Sequence, residues 1–351
     1  MNLTSGKKPR LAAATDPMVR RVATAVGEAI NPKTARVAAT MDYVKSAYYT
    51  TRNDALISVP IDRMAGAISI MDPDTFAVTV HAETGAGKST LLEQHVQDRK
   101  EFQPIPDGYG DFLYPVLYVL VSSKATMTDL ANDILDAMDY HVTRPKKPSL
   151  LFKDVRQQLR LRGTRVIILD DFQHVLDAPK TKGPEHIADS IKNMIQDRKW
   201  PIFIVLLGLP EIKNVILYDP KDQLLRRVDD FPLRPLTLVE DGAFVSAVVI
   251  ELVTQRAKLN LSGDLVENFT ERLMFGGRYQ FGVIIRIIYH AIQDALEKDK
   301  DAVDRQSWEA GYRRLVNASD DPAANVFSND NWRQMAIPVN RTGPYVPSAK
   351  N

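Results

Sequence analysis

Four runs along the chain are apolar at consecutive positions rather than at alternate ones: residues 76–80 (FAVTV), 114–121 (YPVLYVLV), 166–169 (VIIL) and 202–207 (IFIVLL). A strand with this pattern is covered on both faces, so the runs predict a parallel sheet between helical layers. Residues 231–236 (FPLRPL) read as a fifth strand. Between these runs the apolar positions recur with a helical period, at 90–96, 127–138, 151–161, 187–196 and in a turn at 224–227. After Pro235 the strand signal stops. Residues 241–258, 265–274, 278–297 and 303–316 all read as helices. In the third, Val283, Ile284, Ile287, Ile288, Ala291, Ile292 and Ala295 form one stripe, the spacing of a helix face packed in a core.

The ends of the chain are patterned differently. Residues 1–15 read as unstructured, with Gly6-Lys7-Lys8-Pro9-Arg10 as the cue, and 19–46 as loosely helical with a break at Asn31-Pro32. Beyond Asn317 the chain turns Pro-, Asn- and Ser-rich and reads as irregular. There Phe327, Trp332 and Tyr345 would dock a partner on folding, pack back on the preceding helices, or lie in plain disorder.

Composition narrows the class. With 44% hydrophobic and 25% charged residues the chain is an ordinary globular one. It has no cysteine, so neither a disulfide framework nor a thiolate metal site is available, and a cytoplasmic location is the simple expectation. No signal peptide is visible, and the longest apolar runs fall well short of the ~18 residues of a membrane span. Net charge is +1, but residues 1–50 hold eight Lys/Arg against three Asp/Glu, a local +5. Such an arm is a solvated tail, a phosphate-backbone contact or a partner-docking segment.

The chemistry gathers after the first run. Ala82, Glu83, Thr84, Gly85, Ala86, Gly87, Lys88 and Ser89, followed by Thr90, join a strand to a helix. Gly85 and Gly87 let backbone N–H groups approach phosphate oxygens, and the helix N-terminus adds its dipole. Lys88 would reach the β/γ-phosphates of ATP and Ser89 would ligate Mg²⁺. Ala82 stands where the motif begins with glycine. An ATPase also needs acids at the carboxyl end of a strand. Asp170 and Asp171 end the third run; Asp170 would hold Mg²⁺ and Asp171 would polarise the attacking water. Asp171 is one methylene shorter than the usual Glu, which predicts slow hydrolysis. His81 and His174 flank this region and are expected to be packed or tautomer-fixed. No metal cluster and no nucleophile–His–acid set is evident.

One strand lies between the loop and the acidic strand, and a helical domain follows, an order that suits the AAA+ branch of P-loop ATPases. Members of that branch complete each site with a neighbour's arginine. The run 223–228 (QLLRRV) supplies Arg226 and Arg227 for that role, or a plain surface pair. Arg278 and Arg286 are rival arginines from the helical part. Segments 116–138 (VLYVLVSSKATMTDLANDILDAM), 165–175 (RVIILDDFQHV), 201–211 (PIFIVLLGLPE), 223–236 (QLLRRVDDFPLRPL) and 276–295 resemble the TniB/TnsC group of AAA+ transposition ATPases. The resemblance covers roughly residues 45–316.

It implies a P-loop AAA+ three-layer α/β domain with a parallel sheet (46–236) and a small all-helical lid (237–316); composition sets a basic arm (1–45) before them and an irregular tail (317–351) after. It further implies an ATP- and Mg²⁺-dependent protein that assembles as a ring or filament on duplex DNA. Such a protein recruits or stimulates a DDE transposase, sometimes with a target-selecting adaptor protein. DNA contacts fall first on Lys124 and Thr126 in the loop after the second strand, with Arg156, Arg160, Arg162, Lys146 and Lys147 as alternatives. Leu209 departs from the family pattern, which commonly has a polar Thr there to sense the γ-phosphate. Two other readings stay open: an AAA+ ATPase of another machine (ExeA-like secretion or signalling), and an ATP-gated scaffold that barely hydrolyses.

Overall fold

The apolar runs form strands β1 (Ala77–His81), β2 (Val116–Leu120), β3 (Val166–Asp170), β4 (Phe203–Gly208) and β5 (Val228–Pro232) of one parallel sheet, in the order β2-β3-β4-β1-β5. The computed structural model describes residues 5–7, 17–72, 76–97, 99–176, 187, 191, 199–213, 227–316, 321–339 and 343–345. Every residue of β1, β3 and β4 is buried, as continuous apolar runs require. The order places β4 between β1 and β3. The chain after β1 and the chain after β3 therefore both reach the end of β4. Ala82 N–H donates to the Gly208 carbonyl (3.2 Å), and Phe172 N–H to that of Leu207 (2.8 Å).

The fifth strand starts three residues earlier than its apolar pattern suggested. Asp229 and Asp230 look like loop residues, yet both lie in β5 with partners: Asp229 pairs with Arg63, and Asp230 accepts from Thr79 Oγ1 at 2.6 Å and meets Lys213 Nζ at 3.2 Å. The strand ends where Asn53 takes over its bonding, Oδ1 accepting Arg234 N–H at 3.0 Å and Nδ2 donating to the Arg234 carbonyl at 3.1 Å.

Sequence reading passed over the helix Arg52–Ser69. It starts on a capping box, with Thr51 as N-cap and Asp54 returning the bond to the Thr51 N–H, and it carries Pro60 within it. An internal proline argues against a helix; burial of Ile57, Ile61 and Met64 on one face holds this one.

By its contacts the chain divides into two compact units: Thr51–Thr84 with Lys88–Arg234, and Met1–Thr50 with Gly85–Gly87 and Pro235–Asn351. The second is helical. Leu238–Ile250 runs into a π-helical stretch, Glu251–Arg256. Phe269–Gly276, Phe281–Glu297 and Arg305–Val316 follow. The stripe predicted on the third helix is buried throughout. Gly311 allows close approach there, because a Cβ on it would stand 2.7 Å from Ala291 N.

Both chain ends join this unit. Pro32–Lys45 is capped by Asn31, whose side chain accepts Thr34 N–H at 2.8 Å. It places Val37, Met41 and Val44 in the helical core. Two of its cations, Lys33 and Arg36, share Asp299, so part of the arm's excess charge is neutralised locally.

The described part of the tail has only short 3₁₀ turns and a two-stranded hairpin, Ile337–Val339 with Gly343–Tyr345. It nevertheless packs back on the helical unit: Val326, Phe327 and Trp332 are buried in its core. Arg272 Nη1 ties it down by donating to the carbonyls of Val326 (2.6 Å) and Asn329 (2.8 Å). Phe327 and Trp332 are therefore spent on packing rather than held out for a partner. Trp332→Ala should destabilise the protein by about 3–5 kcal/mol, as large buried aromatics do on truncation. A urea melt checks this, and an unchanged midpoint would show that the ring does not belong to the core.

Candidate functional site

The loop after β1 needs its glycines: Gly85 has φ +83° and Gly87 φ +90°, a region that side-chain-bearing residues rarely adopt. The helix Lys88–Gln97 follows directly. Lys88 Nζ donates to the carbonyls of Ala82 (2.8 Å) and Glu83 (3.2 Å), which holds the ammonium at the loop. Burial pushes its pKa down, while Asp170, Asp171 and Glu83 pull it the other way. Ala82 is buried, Glu83 and Thr84 are exposed, and Ala86, Ser89 and Thr90 are half-buried.

Asp170 is 4% exposed at the end of β3. Its Oδ1 accepts Asp171 N–H at 2.8 Å and its Oδ2 accepts the Tyr118 hydroxyl from β2. Burial with the neighbouring Asp170 raises the Tyr118 pKa. Glu93, one turn along the loop's helix, has its pKa raised by burial and then by the Asp170 charge. Ser89, Asp170 and Tyr118 all carry hard oxygen donors, the donor chemistry that Mg²⁺ prefers.

Asp171 turns the chain out of β3 with φ +56°, a conformation that Asp and Asn tolerate better than most residues. Gln173 Nε2 donates to Asp171 Oδ1 at 3.0 Å, and Gln173 Oε1 accepts Leu209 N–H at 3.2 Å. Tyr118, Glu93 and Gln173 were not singled out from the sequence. Gln173 had one signal, its place in the Asp-Phe-Gln-His string after β3; Tyr118 looked like one more apolar position of a strand.

His81, at the end of β1, lies with Nε2 3.0 Å from Asp230 Oδ1. Burial holds its pKa below the ordinary value, against the pull of Asp230, so it is a packed residue.

Among the other candidates, Arg227 is half-buried and forms no ion pair among the described residues; Arg226 lies outside them. Arg278 does not open a helix, which begins at Phe281: it sits in the preceding turn at φ +55° and is 8% exposed. Arg286 is exposed. Within the helical unit its Nη2 comes 3.2 Å from where a Cβ on Gly85 would stand.

Lys124 is exposed, with φ +55°. Thr126 is the N-cap of Met127–Asp136: its Oγ1 donates to Asp129 Oδ2 (2.7 Å) and accepts Asp129 N–H (3.3 Å). That reciprocal cap engages the hydroxyl and leaves Lys124 as the exposed cation of the loop. Of the alternatives, Lys146 pairs with Asp154 and Arg162 lies 5.0 Å over the Tyr114 ring, while Arg160 and Lys147 are exposed and Arg156 is half-buried. No helix among the described residues is long and apolar enough to cross a membrane.

The sequence model of the family described as bacterial TniB protein matches residues 60–237, which span the whole sheet, the loop and the acidic pair. No curated protein matches the sequence. The structure is similar to that of the ORC2 protein of Aeropyrum pernix, with TM-score 0.54 and 15% identity over 77% of this chain and 70% of that one. It is also similar to the Aeropyrum pernix ORC1 protein in complex with DNA (TM-score 0.52, 16% identity, 75% of this chain and 65% of that one). Cdc6p from Pyrobaculum aerophilum matches with TM-score 0.51 and 13% identity over 74% of this chain and 68% of that one. The chain spans just under two thirds of the ORC1 protein. At these identities the likeness shows the fold, that of a P-loop AAA+ ATPase.

Proposed function

The chain belongs to the bacterial TniB family, and from that premise we propose that it is an ATP-dependent regulator of transposition. In this reading it assembles on duplex DNA and recruits or stimulates a DDE transposase. One observation carries the nucleotide half: Lys88, after the end of β1, and the acidic end of β3 lie together at the carboxyl edge of one sheet, where open α/β folds bind ligands.

Lys88 would leave the Ala82 and Glu83 carbonyls for the β/γ-phosphates of ATP. Ser89 and Asp170 would hold Mg²⁺, with the Tyr118 hydroxyl orienting the Asp170 carboxylate. The ion, when bound, neutralises charge on the phosphate oxygens. Asp171 would orient and polarise the attacking water. Arg227 would reach a neighbouring subunit's phosphate, and Arg286, whose Nη2 comes 3.2 Å from where a Cβ on Gly85 would stand, would act from the helical unit in preference to Arg278. The DNA half rests on family membership, on the likeness to a protein whose structure was solved with DNA, and on exposed Lys124. A lysine on phosphate positions a protein without reading sequence, which suits a target-permissive regulator.

Fluorescence anisotropy on a labelled duplex tests this directly. Binding should require ATP, and log affinity should fall linearly with log salt, by about 0.9 per phosphate contact. Binding that ignores nucleotide, or no assembly on duplex in negative-stain images, would sink the proposal.

A further inference from the structure

The amide of Gln173 makes two contacts with opposite polarity. Its Nε2 donates to Asp171 Oδ1 at 3.0 Å while its Oε1 accepts the backbone N–H of Leu209 at 3.2 Å. Only one orientation of the amide satisfies both partners, because the carboxylate needs a donor and the N–H an acceptor. Leu209 directly follows β4 and has no polar side-chain atom to offer. Gly208 leaves space for the amide: a Cβ there would stand 2.6 Å from Gln173 Oε1 and 2.7 Å from Ile212 Cγ2.

Asp171 needs such a partner. Its backbone is left-handed, its N–H is taken by Asp170 Oδ1, and its carbonyl accepts His174 N–H. Those bonds fix the backbone only. Rotation about the terminal torsion of an aspartate is broad, so the carboxylate plane depends on what Oδ1 touches.

We propose that Gln173 is a positioning residue for ATP hydrolysis, its amide supplying the polar link between the end of β4 and Asp171 that the Leu209 side chain lacks. The inference rests on the ATPase reading above. It assigns Gln173 no contact with substrate: it acts through Asp171.

Single-turnover hydrolysis and ATP titrations of three variants test it. Gln173→Ala should lower the hydrolysis rate about 10- to 100-fold, the usual cost of misplacing a catalytic group, with ATP affinity unchanged. Gln173→Glu keeps the acceptor for Leu209 but sets a like charge against Asp171, so its rate should fall at least as far. In an Asp171→Asn background, Gln173→Ala should cost nothing further, since residues acting as a unit are non-additive. Wild-type rates in Gln173→Ala or Gln173→Glu would overturn the inference, as would a loss that adds in full to Asp171→Asn or a parallel loss of ATP affinity. A wild-type protein that never hydrolyses ATP would instead overturn the ATPase reading, and this inference with it.

Discussion

Lys88→Ala is expected to weaken ATP binding by about 100-fold and to abolish ATP-dependent assembly on duplex DNA. The ammonium is held by two carbonyls of its own loop, at 2.8 and 3.2 Å, and is partly buried among Asp170, Asp171 and Glu83. A triphosphate gives it stronger partners than those carbonyls. Charged hydrogen bonds contribute about 1.5–3 kcal/mol each, so losing two weakens binding by about 3 kcal/mol or more, and 1.4 kcal/mol is about tenfold. Removing the side chain leaves the loop conformation in place, because that conformation is set by Gly85 and Gly87 and by the Ala82 N–H bond to Gly208. The variant should therefore fold and fail at the ligand step. Titration with a fluorescent ATP analogue measures the loss, and negative-stain images with DNA read the assembly. Assembly that survives at wild-type levels would mean that nucleotide does not gate it.

How legible was this in the sequence? The sheet was legible because β1, β3 and β4 are buried on both faces and read as unbroken apolar runs. The loop and the acidic pair were legible because they follow two of those strands. β5 was displaced because Asp229 and Asp230 owe their place in the strand to Arg63, Thr79 and Lys213, residues distant in sequence. The helix Arg52–Ser69 was hidden by Pro60, whose cost only tertiary burial offsets. Tail packing was illegible for the same reason: Arg272 caps carbonyls more than fifty residues away.

At the candidate site, the residues with a motif could be named from the sequence and their hydrogen-bond partners could not. Tyr118 reaches Asp170 only because β2 and β3 pair in register, with Leu120 opposite Asp170 and Tyr118 two positions back. Gln173 reaches Leu209 only because β4 lies beside β3. Such partners follow from topology, which a local pattern does not encode. Together they recast Asp171. A carboxylate one methylene short of the usual Glu argued for slow chemistry, yet it is held by an amide that also grips the end of β4.

That tension makes Asp171→Asn the most informative catalytic variant. It is expected to lower turnover by about 10²- to 10⁴-fold, the usual contribution of a positioned base, while leaving ATP binding intact. Asn is nearly isosteric and tolerates the left-handed φ of +56° at this position. Its Oδ1 still accepts from Gln173 Nε2, so neither the backbone nor the β4 link should shift. What it loses is the negative charge that would polarise water in the proposed mechanism. Bound ATP stabilises only the state that binds it, so blocking its loss should prolong the assembly on DNA as turnover falls. Phosphate release gives the first quantity, and the lifetime of the DNA complex after a chase with unlabelled duplex gives the second. Wild-type turnover in the variant would remove Asp171 from the chemistry. If the wild type is as slow as the variant and the two DNA complexes last equally long, ATP acts here as an assembly ligand alone. In that case the link through Gln173 serves to hold a conformation rather than a water.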